Sequence, residues 1–145
     1  MRFMMIYKPA DTKAMEAGVP PTQDEMAKMG AFIGEMAASG VLLAADGLQP
    51  SSKGARVRFS GPERTVIDGP FAETKELIAG FWLWKVKSKE EAIEWVKRCP
   101  NPLDGEAEIE IRQVFEASDF GDAFTPELRE QEARLAKQMA ANAKR

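Results

Sequence analysis

A chain of 145 residues fits one domain, large enough to bury a core without help from a disulfide or a metal. Its 20 basic and 23 acidic residues leave a net charge of −3, which gives no field for gathering nucleic acid or an anionic membrane, and no basic stripe with interleaved aromatics occurs. Histidine is absent, which excludes a Ser-His-Asp triad, a Cys/His zinc site and an imidazole proton shuttle.

Residues 2–7 read as a buried strand stopped by Lys8 and Pro9. That run is too short for a signal-peptide core, and no later stretch could span a bilayer, so a cytoplasmic location is expected. Residues 10–21 carry Gly18, Pro20 and Pro21 and read as a loop. Thr22 with Glu25 forms a capping box, opening a helix whose apolar face is Met26, Met29, Ile33, Met36 and Ala37, ended by Gly40. Residues 41–48 form a strand interrupted at Asp46-Gly47, and Pro50, Ser51, Ser52 and Gly54 mark a turn. Residues 55–60 alternate, with Val57 and Phe59 opposite Arg56 and Arg58, and 64–67 return as the hairpin partner after Gly61-Pro62-Glu63.

Residues 68–76 are polar and turn-rich, and 78–86 are the longest strand. Its apolar residues on both faces predict cover on both sides, with one of Trp82 and Trp84 facing the open side. Ser88 and Glu91 make a second capping box, for a helix that buries Ala92, Ile93, Trp95 and Val96 and ends at Pro100 and Pro102. Residues 107–115 alternate Ile109, Ile111 and Phe115 against Glu108, Glu110 and Arg112, a last strand with one wet face. Residues 118–124 read as a linker, and 126–144 as a polar, alanine-rich helix with a thin stripe of Leu128, Leu135 and Met139.

The order is β-α-β, a hairpin, then β-α-β and an appended helix, which predicts an α+β fold of ferredoxin-like plan: an antiparallel sheet with its helices on one face. The domain is expected over 1–117, with a helical extension over 118–145. The sheet's other face carries apolar residues that need cover, and a second copy is the simplest cover, so a homodimer is expected. The extension either wraps the partner or stays a mobile tail.

At residues 66–76 the chain reads Val-Ile-Asp-Gly-Pro-Phe-Ala-Glu-Thr-Lys-Glu, which resembles the DGPF signature of the YCII-related family. The likeness extends to Gly40-Val41-Leu42-Leu43, Gly47-Leu48, Gly80-Phe81, the helix after Ser88 and Glu108-Ile109-Glu110-Ile111-Arg112. The resemblance implies a dimeric α+β barrel. It also implies kinship with lactone-processing enzymes in which a His–Asp pair moves protons, and with proteins encoded near extracytoplasmic-function sigma factors. The histidine is missing here, and Gln23, Asp24 and Glu25 stand at the start of the first long helix instead.

Asp68 has two possible roles. Its carboxylate can accept backbone N–H groups of the turn that follows. Alternatively it faces a cleft under the sheet, where burial would raise its pKa and suit it to proton transfer. Gly69 and Pro70 shape the turn, and Phe71 is expected to plug the core. Glu73, Lys75 and Glu76 are either solvated surface charges or binding groups, with Lys75 holding an acidic substrate. Arg112 and Glu108 either join cross-strand ion pairs or line a dimer cleft, the guanidinium gripping a carboxylate. Tyr7 and Asp46 offer further polar groups of the same kind. Cys99 lies beside Lys97 and Arg98, which could lower a thiol pKa, but a half-buried cysteine at a helix end is the plainer reading.

The expectation is a small-molecule-binding protein that needs no metal or cofactor and binds neither nucleic acid nor membrane. As an enzyme it would run acid–base chemistry, an isomerisation or elimination on a small acidic or lactone-like compound. Asp68 would be the catalytic group, and Lys75, Arg112, Glu73 and Glu108 would contact the substrate. The contrasting expectation is a non-catalytic binding or regulatory module that works with a sigma factor.

Overall fold

The computed structural model describes residues 1–101 and 105–145; Pro102, expected to help end the second long helix, lies outside the described residues. The chain forms two compact units, Met1–Val114 and Phe115–Arg145.

The first unit runs β1 (Arg2–Pro9), a single helical turn α1 (Lys13–Glu16) inside the segment read as loop, α2 (Gln23–Ser39), β2 (Leu42–Gly47), β3 (Ala55–Ser60), β4 (Glu63–Asp68), β5 (Gly80–Lys85), α3 (Lys89–Lys97) and β6 (Ala107–Gln113). Four strands form a sheet in the order β2-β5-β1-β6, with every neighbouring pair antiparallel. This is the order that two βαβ units produce when each helix crosses over one strand, as the sequence predicts.

Side-chain alternation decides which residues meet. Along β1, Phe3, Met5 and Tyr7 are buried while Met4, Ile6 and Lys8 are half-buried. The register sets Phe3 beside Trp84 and Met5 beside Trp82. Both tryptophans therefore point to the core, 6% and 1% exposed. The expectation that one faces the open side fails because residues two apart on a strand share a face; Phe81 and Leu83 take the other side.

Phe32 and Met36 of α2 and Ala92 of α3 close the core over the same sheet face, so both helices lie on one side. Trp95 of α3 sits between Phe32 and Trp84, with ring centroids at 6.3 and 6.5 Å. Arg98 forms an ion pair with Glu35, joining the end of α3 to α2. Met29 and Ile33 are half-buried as the periodicity predicts, but Met26 and Ala37 are exposed, so the buried stripe centres on Phe32 instead.

The caps follow the sequence closely. Thr22 Oγ1 accepts from the Glu25 N–H at 3.2 Å while Glu25 accepts from the Thr22 N–H at 2.7 Å. At α3 only half of the expected box forms: Ser88 Oγ accepts from the Glu91 N–H, but the Glu91 carboxylate takes the Lys87 N–H.

The sheet's second face has Met4, Ile6, Phe81 and Leu83 at its centre, all half-buried. Glu108, Glu110 and Arg112 border it on the edge strand β6, opposite Lys8, Ile6 and Met4. The β3–β4 hairpin is a separate two-stranded sheet, with Ala55 opposite Asp68 and Ser60 opposite Glu63.

In the second unit the rings of Phe115, Phe120 and Phe124 pack in series, with centroids 5.1 and 5.9 Å apart. The segment read as a linker is a kinked pair of 3-10 turns over Ala117–Ala123. Thr125 then caps α4 (Pro126–Asn142), whose Leu128, Leu135 and Met139 are exposed. Among the described residues no helix is long and apolar enough to cross a membrane.

Candidate functional site

The DGPF segment leaves β4 at Asp68 and turns against the loop that precedes β3. Gly69 packs so closely there that a Cβ would meet the Ser51 carbonyl oxygen at 1.7 Å. No side chain fits without moving backbone. The Gly69 N–H donates to the Gly54 carbonyl at 3.1 Å and the Phe71 N–H to Ser51 Oγ at 3.0 Å. The Ser51 hydroxyl in turn donates to the Glu16 carboxylate, which also accepts the Ser51 backbone N–H at 2.9 Å. Ser51 thus links the motif turn to α1. These bonds, from the hydroxyl first and the backbone second, hold the Glu16 carboxyl below its ordinary value.

Beside this latch lies a cavity of about 390 Å³, within the size range of small-molecule sites. Leu48, Pro50, Leu77 and Ile78 supply apolar wall, and Phe71 completes it. Phe71 is therefore a half-buried wall residue rather than the core plug expected. The Arg56 guanidinium stacks over its ring at 4.1 Å and donates from Nη2 to Glu76 at 3.1 Å. Lys53 also lines the cavity, and its ammonium has no acidic partner among the described residues. Among the described residues the cavity thus presents Lys53 without an acidic partner, Arg56 shared with Glu76, the Glu16 carboxylate bonded to Ser51, and an apolar body.

The residues singled out from sequence do not gather at that cavity. Asp68 stands opposite Ala55 in the hairpin register, on the face that also holds Val57, while Arg56 shares the other face with Ile67. Its carboxylate makes no hydrogen bond or ion pair among the described residues, so the turn-capping role is not used. Lys75 and Glu108 do come together. They line a second cleft of about 600 Å³ with Lys8 and Asn101. Glu73 is exposed and lines neither space. Arg112 lies on the open sheet face, 3.7 Å from Glu110, which is also 3.7 Å from Lys8.

Tyr7 belongs to the core face. Its hydroxyl donates to Asn101 Oδ1 at 3.4 Å, and burial, then the nearby Cys99, holds its phenol above the ordinary value. Burial pushes the Cys99 thiol up to about 11, overriding the neighbouring lysine and arginine. The acids at the start of α2 have local duties: Glu25 in the cap, and Asp24 in an ion pair with Lys28 at 3.0 Å. Among the described residues no group of three or more acidic or cysteine side chains could hold a metal.

Glu16, Lys53 and the latch role of Ser51 are absent from the sequence reading. The Glu16–Ser51 contact spans 35 residues, and no local pattern reports such a pairing. Arg56 stood out only as the polar side of an alternating strand.

The fold is an α+β sandwich built on a four-stranded antiparallel sheet, with a DGPF turn latched to its flank. The chain belongs to the YCII-related domain family, whose model matches residues 1–118. It is also 37% identical over 67 residues to an uncharacterized protein of Rhizobium meliloti (strain 1021), a stretch that covers 46% of this chain and 54% of that protein. The likeness thus spans about half of that relative's length.

Proposed function

We propose that this YCII-related protein binds a small acidic compound with an apolar body in the cavity beside the DGPF turn, and that it works as a homodimer paired through the open face of its sheet. The observation that carries the binding reading is Lys53, a cation on the cavity wall that forms no ion pair among the described residues, next to the Arg56–Phe71 stack. A carboxylate placed there would gain a charge-assisted contact while its carbon skeleton covered Phe71 and Leu77. Binding fits the cavity better than proton transfer does. The one cavity carboxylate with a displaced titration, Glu16, is displaced downward, and so stays ionised at neutral pH. The half-buried strip of Met4, Ile6, Phe81 and Leu83 supports pairing, because a second copy would remove it from water.

Benzoate is a suitable probe. A ligand of that size, at about 0.45 kcal/mol per heavy atom, binds with a dissociation constant of about 1 mM. At about 10 mM it stabilises the fold by about 1.4 kcal/mol, a rise in melting temperature of several degrees. Lys53→Ala should cut that stabilisation to about 0.4 kcal/mol. No shift, or an equal shift in the variant, contradicts the reading.

A second reading is an acid–base enzyme in which Asp68 moves the proton and Arg112 or Lys75 holds the charge. It is favoured by the Asp68 carboxylate having no partner among the described residues. Under it, Asp68→Asn leaves stability unchanged and abolishes turnover. Loss of stability instead means that the residue serves the turn.

A further inference from the structure

The β3–β4 hairpin has an unpartnered face. Strand alternation places Val57, Phe59 and Val66 on one side, with Arg64 opposite Phe59 and Asp68 opposite Ala55. The three apolar residues are 52%, 72% and 64% exposed, although β-branched and aromatic side chains are the ones that stabilise strands by packing. The other face packs through Arg56 on Phe71, but a two-stranded ribbon alone is marginal in water. Arg64 lies over the Phe59 ring at 4.5 Å and spends only Nη1, on the carbonyls of Gly61 and Glu63, so Nε and Nη2 carry no hydrogen bond among the described residues.

Charges complementary to Arg64 and Asp68, which flank this face, stand elsewhere on the same molecule. On the open side of the edge strand β6, Glu108 has no ion pair among the described residues, and Arg112 has only Glu110 at 3.7 Å. Arg64 and Asp68 are four residues apart on one strand, as are Glu108 and Arg112. Each pair therefore spans about 13 Å. The signs are opposite end for end, positive then negative on the hairpin, negative then positive on β6.

We infer that the hairpin is an arm that lays its Val57–Phe59–Val66 face along β6 of a second copy of this chain, Arg64 against the partner's Glu108 and Asp68 against the partner's Arg112. A two-fold pair makes this contact twice, since each copy owns both an arm and an edge strand. The inference rests on the pairing proposed above and adds what that pairing lacks: the centre strips meet at the middle of the interface, and the arms cover its flanks. It also brings Asp68 and Arg112, which stand on separate surfaces of one chain, face to face between two copies.

Sedimentation of the full chain over a concentration series tests this. The wild type is expected as a dimer. Phe59→Asp is expected to weaken dimerisation at least tenfold with an unchanged far-ultraviolet spectrum, as a residue 72% exposed in one chain allows. Arg64→Glu and Glu108→Arg should each weaken it, and the two together should recover most of the loss. A monomeric wild type overturns the pairing and the arm together. A wild-type dimer that none of these substitutions disturbs overturns the arm and leaves the sheet-face pairing standing. Single variants that weaken the dimer without mutual rescue overturn the Arg64–Glu108 assignment.

Discussion

Gly69→Ala places the heaviest demand on the latch. The added Cβ would lie 1.7 Å from the Ser51 carbonyl oxygen and 2.5 Å from its carbon. Ordinary van der Waals contact requires the two segments to separate by more than an ångström. Both are backbone, so no side chain can swing aside. Overpacking of this kind costs about 1–3 kcal/mol. The displacement also stretches the bonds from the Gly69 and Phe71 N–H groups, each worth about 1 kcal/mol. The total of about 3–5 kcal/mol lowers the melting temperature by roughly 10–15 °C. Two other glycines calibrate the scale. Gly61 has open space but a φ of 55°, so alanine there costs about 1 kcal/mol. Gly30 is helical with nothing within 4 Å, so alanine there stabilises by up to about 1 kcal/mol. Urea unfolding of the three variants should rank them Gly30→Ala, Gly61→Ala, Gly69→Ala in falling stability. A Gly69→Ala protein as stable as Gly61→Ala would refute the claim that the motif glycine is fixed by its approach to Ser51.

Two further outcomes follow from the same geometry. The Glu16 carboxyl is held below its ordinary 4.5 in the native state, so its stabilising contribution is complete above that pH and disappears as pH falls through the lower native value. Urea midpoints taken from about pH 6 to about pH 3 should therefore fall more steeply for the wild type than for Glu16→Gln; parallel curves would contradict the bonding to Ser51. The Cys99 thiol, raised by burial to about 11 from 9.0, holds ~100-fold less thiolate near pH 8, of which its higher basicity restores about tenfold in reactivity. Iodoacetamide should modify it at least about tenfold more slowly in the native protein than in urea, and equal rates would place the thiol at the surface.

Element order and sheet plan were legible because they rest on local signals. The capping pair Thr22–Glu25, the left-handed stop at Gly40 and the alternation of Ile109 and Ile111 all appear where the sequence predicts them. Strand ends were less legible, since the strand expected over 78–86 pairs only over Gly80–Lys85. The site was largely hidden because its contacts join distant segments. Arg56 meets Glu76 across 20 residues and Ser51 meets Phe71 across 20 more, and neither is implied by any periodicity. The DGPF string drew attention to Asp68, yet within one chain its glycine and phenylalanine carry the contacts that shape the cavity, while the aspartate points to the hairpin's other face.

The binding proposal is tested most directly by following backbone amide resonances of the full chain during a benzoate titration. Saturable shifts are expected at Ser51, Gly54, Arg56 and Phe71, with the midpoint moved about tenfold higher in benzoate by Lys53→Ala. Shifts confined to the surroundings of Asp68, Lys75 and Arg112, or none at all, would contradict it.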